Sequence, residues 1–194
     1  MSFSAHAVVD AVVTSRTSRL PMTEQAFLDF YARTSAPLTR YLTRLTGNHA
    51  LAEDLLQESY LRLLSQARVP DDEAHLRNYL FKIGTNLARD HFRREWRAEP
   101  LDDEGRVADS VPAGSGRGEA EPSDVWAVLD RVTPRDRELL LLAYVEGLTH
   151  QEISQITGLM RASMKPLLFR ARRRFAAALS DAGLGPDRSV AALS

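Results

Sequence analysis

From Glu99 to Pro122 the chain has no sustained apolar period; acids (Glu99, Asp102, Asp103, Glu104, Asp109, Glu119, Glu121) are interspersed with glycine, proline and serine. Such a stretch cannot bury enough apolar surface to offset the entropy of ordering it, so it reads as a flexible linker. It splits 194 residues into two halves, each sized for one small domain. The overall apolar content of 44% is ordinary for a soluble globular chain, so each half can build a core of its own.

Punctuation and periodicity organise the first half. Thr23 is an N-cap candidate for a helix carrying Phe27, Phe30 and Tyr31. Pro37 is expected to open a second helix, with Leu38, Tyr41, Leu42 and Leu45 on one side and Gly47 to end it. A third helix is predicted from about Ala50 to Gln66 and a fourth from about His75 to Arg97.

The second half is marked more sharply. Thr133, Pro134 and Asp136 supply a cap, a first-turn proline and a capping-box acid for a helix through Leu139, Leu140, Leu142 and Ala143, which Gly147 can close. Thr149 and Glu152 repeat the box ahead of a short helix from His150 to Thr157, Gly158 provides a turn, and a longer helix follows from about Arg161 to Leu179. That is a helix-turn-helix pattern. Met164, Leu168, Ala171, Phe175 and Leu179 form the inner stripe of the last helix, with Ser163, Pro166, Arg170 and Arg173 on the opposite side. The fold class that follows is all-α, two small helical domains joined by a flexible linker, the C-terminal one a helix-turn-helix.

Composition excludes several chemistries. The absence of cysteine removes disulfides, thiolate metal sites and cysteine nucleophiles, and fits a reducing compartment, the cytoplasm being the simplest. Five scattered histidines show no metal-ligand spacing, and there is no phosphate loop or nucleophile motif, so neither cofactor nor metal is expected and an enzyme is disfavoured. No apolar run approaches the roughly 20 residues of a membrane helix, so no membrane insertion is expected. A formal net charge of -1 argues against a polyanion partner only on average. Arg161 to Arg174 contains cations and no acid, whereas the linker is acidic; Lys82 and Lys165 are the only lysines, so the positive charge is almost all guanidinium.

Three surfaces stand out. In the fourth helix Leu76, Leu80, Ile83 and Leu87 supply a core stripe, while Tyr79, Lys82, Asn86, Arg89, Arg93 and Trp96 recur at helical spacing on another face. Aromatics, an amide and cations together suit unstacked bases and a phosphate backbone; the plainer reading is a solvated face. In the third helix Asp54, Gln57 and Glu58 share one side with Leu61, leaving Leu56, Tyr60, Leu63 and Leu64 to pack. That acidic patch is a solvated face or a dock for a basic helix. The third surface is the cationic face of the last helix.

The runs AEDLLQESYLRLL (Ala52 to Leu64), LRNYLFKIGTNLARDHFRRE (Leu76 to Glu95) and VLDRVTPRDRELLLLAYVEGLTHQEISQITG (Val128 to Gly158) resemble, in order and spacing, three signatures of extracytoplasmic-function sigma factors. The resemblance implies sigma domain two at residues 23–98, binding core RNA polymerase and the promoter minus-ten element, and sigma domain four at 123–180, binding the minus-thirty-five element. Between them lies the acidic linker, 99–122; residues 1–22 and 181–194 are tails. It assigns Asp54, Gln57, Glu58 and Leu61 to the polymerase contact, and Tyr79, Lys82, Asn86, Arg89, Arg93 and Trp96 to promoter melting. Arg161, Ser163, Lys165, Arg170 and Arg173 go to the major groove, with Asp90 as a structural acid. Expected partners are core RNA polymerase and promoter DNA, and an anti-sigma protein of the kind that often holds relatives by wedging between the domains.

One stretch departs from the family. Met160 occupies the cap position where relatives carry a polar residue, and Pro166 and Leu167 replace polar positions of the recognition helix. A lost cap costs about 1 kcal/mol and an interior proline about 3 kcal/mol or more, so the helix is expected to start late, near Lys165, or to kink. Two functions follow from these features. One is an active sigma factor that binds polymerase, selects a promoter and opens it. The alternative is a sigma-like module that titrates an anti-sigma protein with impaired promoter recognition.

Overall fold

The computed structural model describes residues 22–98 and 124–184; side chains from 95 to 98 and at 124 are excepted. The linker assigned to 99–122, and the tails apart from Met22 and residues 181–184, lie outside the described residues.

Helix α1 runs Glu24–Thr46, and Thr23 caps it by accepting the Ala26 N–H at 3.3 Å. The two helices expected on either side of Pro37 are therefore one. The reason is a single buried stripe, Phe27, Phe30, Thr34, Leu38, Tyr41, Leu42 and Leu45, that continues across the proline. Burying each large apolar side chain contributes about 1.5–3 kcal/mol, so the stripe outweighs one interior proline at about 3 kcal/mol. The Thr34 hydroxyl donates to the Phe30 carbonyl at 2.6 Å and the Thr39 hydroxyl to the Ser35 carbonyl at 2.9 Å, on either side of the interrupted turn.

Gly47 closes α1 in the left-handed region at φ 69°, a conformation that costs glycine nothing. Asn48 then caps α2, His49–Leu64, accepting the Leu51 N–H at 3.1 Å. Helix α3, Glu73–Ala98, completes the first unit by packing on both α1 and α2. Its core is aromatic: Tyr60 meets Phe27 edge-on at 5.8 Å, and Tyr41 meets Phe81 at 5.4 Å. Each buried phenol has a partner, Tyr60 with the Thr34 hydroxyl at 2.7 Å and Tyr41 with the Thr85 hydroxyl at 2.9 Å, as buried hydroxyls require.

The second unit begins with a six-residue helix the periodicity did not signal, α4, Asp124–Leu129. Thr133 caps α5, Pro134–Leu140, whose last turn widens into a π turn over Leu141–Val145 rather than running on as an α-helix to Gly147. Helix α6, His150–Thr157, carries the expected capping box, with both Thr149–Glu152 exchanges formed, and Gly158 closes it at φ 72°. Helix α7 spans Arg161–Asp181. The architecture is all-α, two helical units with a helix-turn-helix in the second, and no strand occurs among the described residues.

The late start expected for α7 does not occur. It begins at Arg161 with no side-chain cap and carries Pro166 in its interior. The Ser163 N–H donates to the Met160 carbonyl at 2.9 Å, which substitutes backbone for the missing cap. Pro166 denies a donor to the Ala162 carbonyl, but both residues are exposed, so water can serve that oxygen, while Met164, Leu168 and Ala171 anchor the helix on its inner side. Leu167 is half-buried against the core and so contributes packing to α7.

Candidate nucleic-acid and polymerase interfaces

Helix α7 carries Met164, Leu168 and Ala171 inward, with Phe175 and Leu179 half-buried. Arg161, Lys165, Arg170 and Arg173 are all exposed, and the Arg173 guanidinium lies 6.0 Å from the Phe169 ring centroid. Ser163 is half-buried and less accessible than the helical period implied. The helix therefore carries a row of exposed cations, with no acid among its exposed residues before Asp181.

On α2 the acidic patch is assembled as expected. Leu56, Tyr60, Leu63 and Leu64 are buried, Asp54 is exposed, and Gln57, Glu58 and Leu61 are half-buried beside it. Glu58 receives the Arg62 Nε–H at 2.7 Å one turn on. Gln57 also borders an open groove between α1 and α2, lined by Tyr31, Thr39 and Leu56.

The six α3 residues expected at the minus-ten element are not all presented together. Lys82, Asn86 and Arg93 are exposed, and Tyr79 is half-buried against the core. Arg93 donates to Asp90 at 2.8 Å, and Asp90 also accepts the Arg94 Nε–H through its carbonyl at 3.2 Å. The Trp96 side chain lies outside the described residues. Arg89 is turned toward the second unit, where its Nε and Nη2 donate to the two carboxylate oxygens of Glu138 at 2.9 and 2.5 Å and its Nη1 donates to the Thr157 carbonyl at 3.2 Å.

That contact belongs to a seam between the two units that sequence reasoning missed. Arg77 donates to Glu146 at 2.8 Å, Asn78 to Glu152 at 3.2 Å, and Arg137 to the Leu45 carbonyl at 3.3 Å. The Arg44 guanidinium stacks over Trp126 at 3.9 Å. Buried apolar residues of both halves merge into one cluster across this seam. Burial pushes the carboxyls of Glu138 and Glu146 above their usual range, against the pull of Arg89 and Arg77 respectively. The capping hydrogen bonds from Thr149 hold Glu152 below it. The π turn delivers Glu146 to the seam, a displacement no local pattern encodes. A signal was present all the same: Asp136, Arg137 and Glu138, all buried, stand immediately ahead of four leucines that leave α5 little solvent face.

Among the described residues no helix is long and apolar enough to cross a membrane, and no group of histidines and acids is placed to hold a metal ion.

Comparison with known proteins accounts for both units. Residues 30–98 match the family model for sigma-70 region 2, and residues 123–175 that for sigma-70 region 4. The chain is 30% identical over 178 residues to the ECF RNA polymerase sigma factor EcfG of Rhodopseudomonas palustris, covering 90% of this chain and 97% of the relative. It is 29% identical over 142 residues to ECF RNA polymerase sigma factor SigM of Bacillus subtilis, covering 71% and 85%. Among solved structures the fold is similar to the sigma factor RpoE, crystallised with the anti-sigma factor NepR, from Bartonella quintana: TM-score 0.63, 20% identity, 80% of this chain and 98% of that one. It is also similar to CnrH in complex with the cytosolic domain of CnrY, with TM-score 0.58, 20% identity, and 92% and 99% covered. With both regions in order and the match to a curated relative spanning nearly all of each, the chain belongs to the extracytoplasmic-function family of RNA polymerase sigma factors, which direct transcription initiation.

Proposed function

We propose that residues 23–98 act as sigma domain two and 123–180 as sigma domain four, with Asp54, Gln57, Glu58 and Leu61 docking on core RNA polymerase. Tyr79, Lys82, Asn86, Arg89, Arg93 and Trp96 take the opened minus-ten strand, and Arg161, Ser163, Lys165, Arg170 and Arg173 meet the minus-thirty-five duplex. The linker, 99–122, joins the two domains. The protein works in the cytoplasm by binding alone, with no covalent chemistry of its own, and an anti-sigma protein is a further partner.

The observation that carries this reading is α7, helical through Pro166 with Arg161, Lys165, Arg170 and Arg173 exposed along it. A titrating mimic has no need of that surface. Because Leu167 packs inward and the cations contact phosphate more readily than base edges, minus-thirty-five recognition rests on backbone contacts. The test is run-off transcription from a genomic promoter library with purified core polymerase. Specific transcripts are expected. Replacing Arg170 and Arg173 by alanine should weaken promoter binding and lower the salt slope of log K by about 1 per arginine. Core binding without any specific transcript would favour the titrating module.

A further inference from the structure

Arg89 is committed twice. As a minus-ten residue it must present its guanidinium to DNA, yet in the free chain that fork is filled by the Glu138 carboxylate, two oxygens on two nitrogens at 2.9 and 2.5 Å. A guanidinium fork accepts a carboxylate and a phosphate in the same bidentate geometry. The Glu138 side chain is only 6% exposed, so water does not compete for it. Asn78 and Arg89 lie on one side of α3 roughly three turns apart, and each meets an acid of the second unit, Glu152 and Glu138. Arg77 meets a third, Glu146.

We infer that Glu138 is a built-in stand-in for a promoter phosphate: it latches sigma domain four onto the minus-ten helix through Arg89 and keeps the unbound chain closed. The inference rests on the minus-ten reading of Arg89. The contacts around the latch fit this role, since Arg137 secures α5 to the Leu45 carbonyl of α1 and Arg44 stacks on Trp126. The Arg89 side chain is 40% exposed, but its donors are taken by Glu138 and the Thr157 carbonyl, so a phosphate must displace the carboxylate to engage the fork, and DNA and the latch compete for one guanidinium. Polymerase, by holding the two domains on separate surfaces, removes the competitor.

The chain has no cysteine, so spin labels placed at Asp71→Cys and Ala177→Cys, both exposed, report the interdomain distance without background. The full-length chain is expected to show one narrow distance and weak binding to a short fluorescent DNA strand of mixed sequence. Glu138→Ala should broaden the distance and tighten that strand by about tenfold, the scale of one charge-assisted hydrogen-bonded pair. Where the alanine variant fails to fold, Glu138→Leu keeps the side-chain bulk, removes both acceptor oxygens that meet the Arg89 fork and carries the same comparison. A distance already broad in the unsubstituted chain, or broadening with no gain in DNA binding, overturns the latch. A gain that persists when Arg89→Ala is added removes Arg89 from the minus-ten surface and with it the phosphate stand-in, while the distance by itself reports whether Glu138 holds the domains together, so the two readings fail separately.

Discussion

Arg174, toward the end of α7, donates to the Asp136 carboxylate at 2.8 Å and so ties the recognition helix to the first turn of α5. The carboxylate is buried whereas the guanidinium is more than half exposed, so the pair is asymmetric. Removing the arginine strands the acid, and leaving a buried acceptor short of a partner costs about 1–3 kcal/mol. Arg174→Ala is accordingly expected to destabilise the protein by about that much in chemical denaturation. A change within about 0.5 kcal/mol, typical of a surface substitution, would mean that the tie does not hold the helix-turn-helix.

The docked arrangement should strengthen in mild acid. Burial raises the Glu138 carboxyl, which faces Arg89 on α3, Tyr41 on α1 and Arg135 on its own helix; Glu146, facing Arg77 and Arg40, is raised for the same reason. A group whose docked value lies above its free value stabilises docking fully below the free value, and that contribution is lost as pH rises through the docked one. Glu152 is held low mainly by Thr149 of its own unit, a capping contact that does not depend on docking. The distance distribution should therefore be narrower near pH 5 than near pH 8, around the ordinary glutamate value and well above it. The reverse trend would mean that the attraction between the ion pairs outweighs their desolvation.

Pro166 weakens α7 without breaking it. Pro166→Ser restores a donor to the Ala162 carbonyl and should stabilise the protein by about 1–3 kcal/mol, up to the usual cost of an interior proline and reduced below it because water can serve the exposed carbonyl. Thermal unfolding reads this as a rise in Tm, with the positions of Arg170 and Arg173 unchanged. A fall in Tm would mean that the rigidity of the proline in the unfolded chain outweighs the lost bond.

Gly84 marks the closest approach of α3 to α1 and α2. A Cβ there would stand 3.3 Å from Leu38 Cδ1 and 3.3 Å from Ser59 Oγ. Gly84→Leu should cost about 1–3 kcal/mol through overpacking. Gly84→Ala should be much milder, since alanine favours a helix by up to about 1 kcal/mol and offsets a contact a few tenths of an ångström too tight. Equal effects from the two, measured by denaturant unfolding, would place the strain elsewhere.

Much of this molecule is local and so was legible residue by residue. Thr23, Thr133 and Thr149 cap helices because their neighbours three residues on need an acceptor, and Gly47, Gly147 and Gly158 take positive φ because only they do so without strain. The inner stripes of α3 and α7 follow from a period of 3.6, which also put Lys82, Asn86, Arg170 and Arg173 on exposed faces. What the sequence could not determine depends on distant partners. Helices α1 and α7 run through Pro37 and Pro166 because other helices bury their stripes, and α5 widens at Leu141 to bring Glu146 to Arg77. Arg89 and Glu138 lie 49 residues apart in sequence, and only the docking of one unit on the other decides that they meet. Local propensity is blind to that contact, because the attraction that offsets the desolvation of the two charges exists only where both units meet in a seam neither half possesses alone.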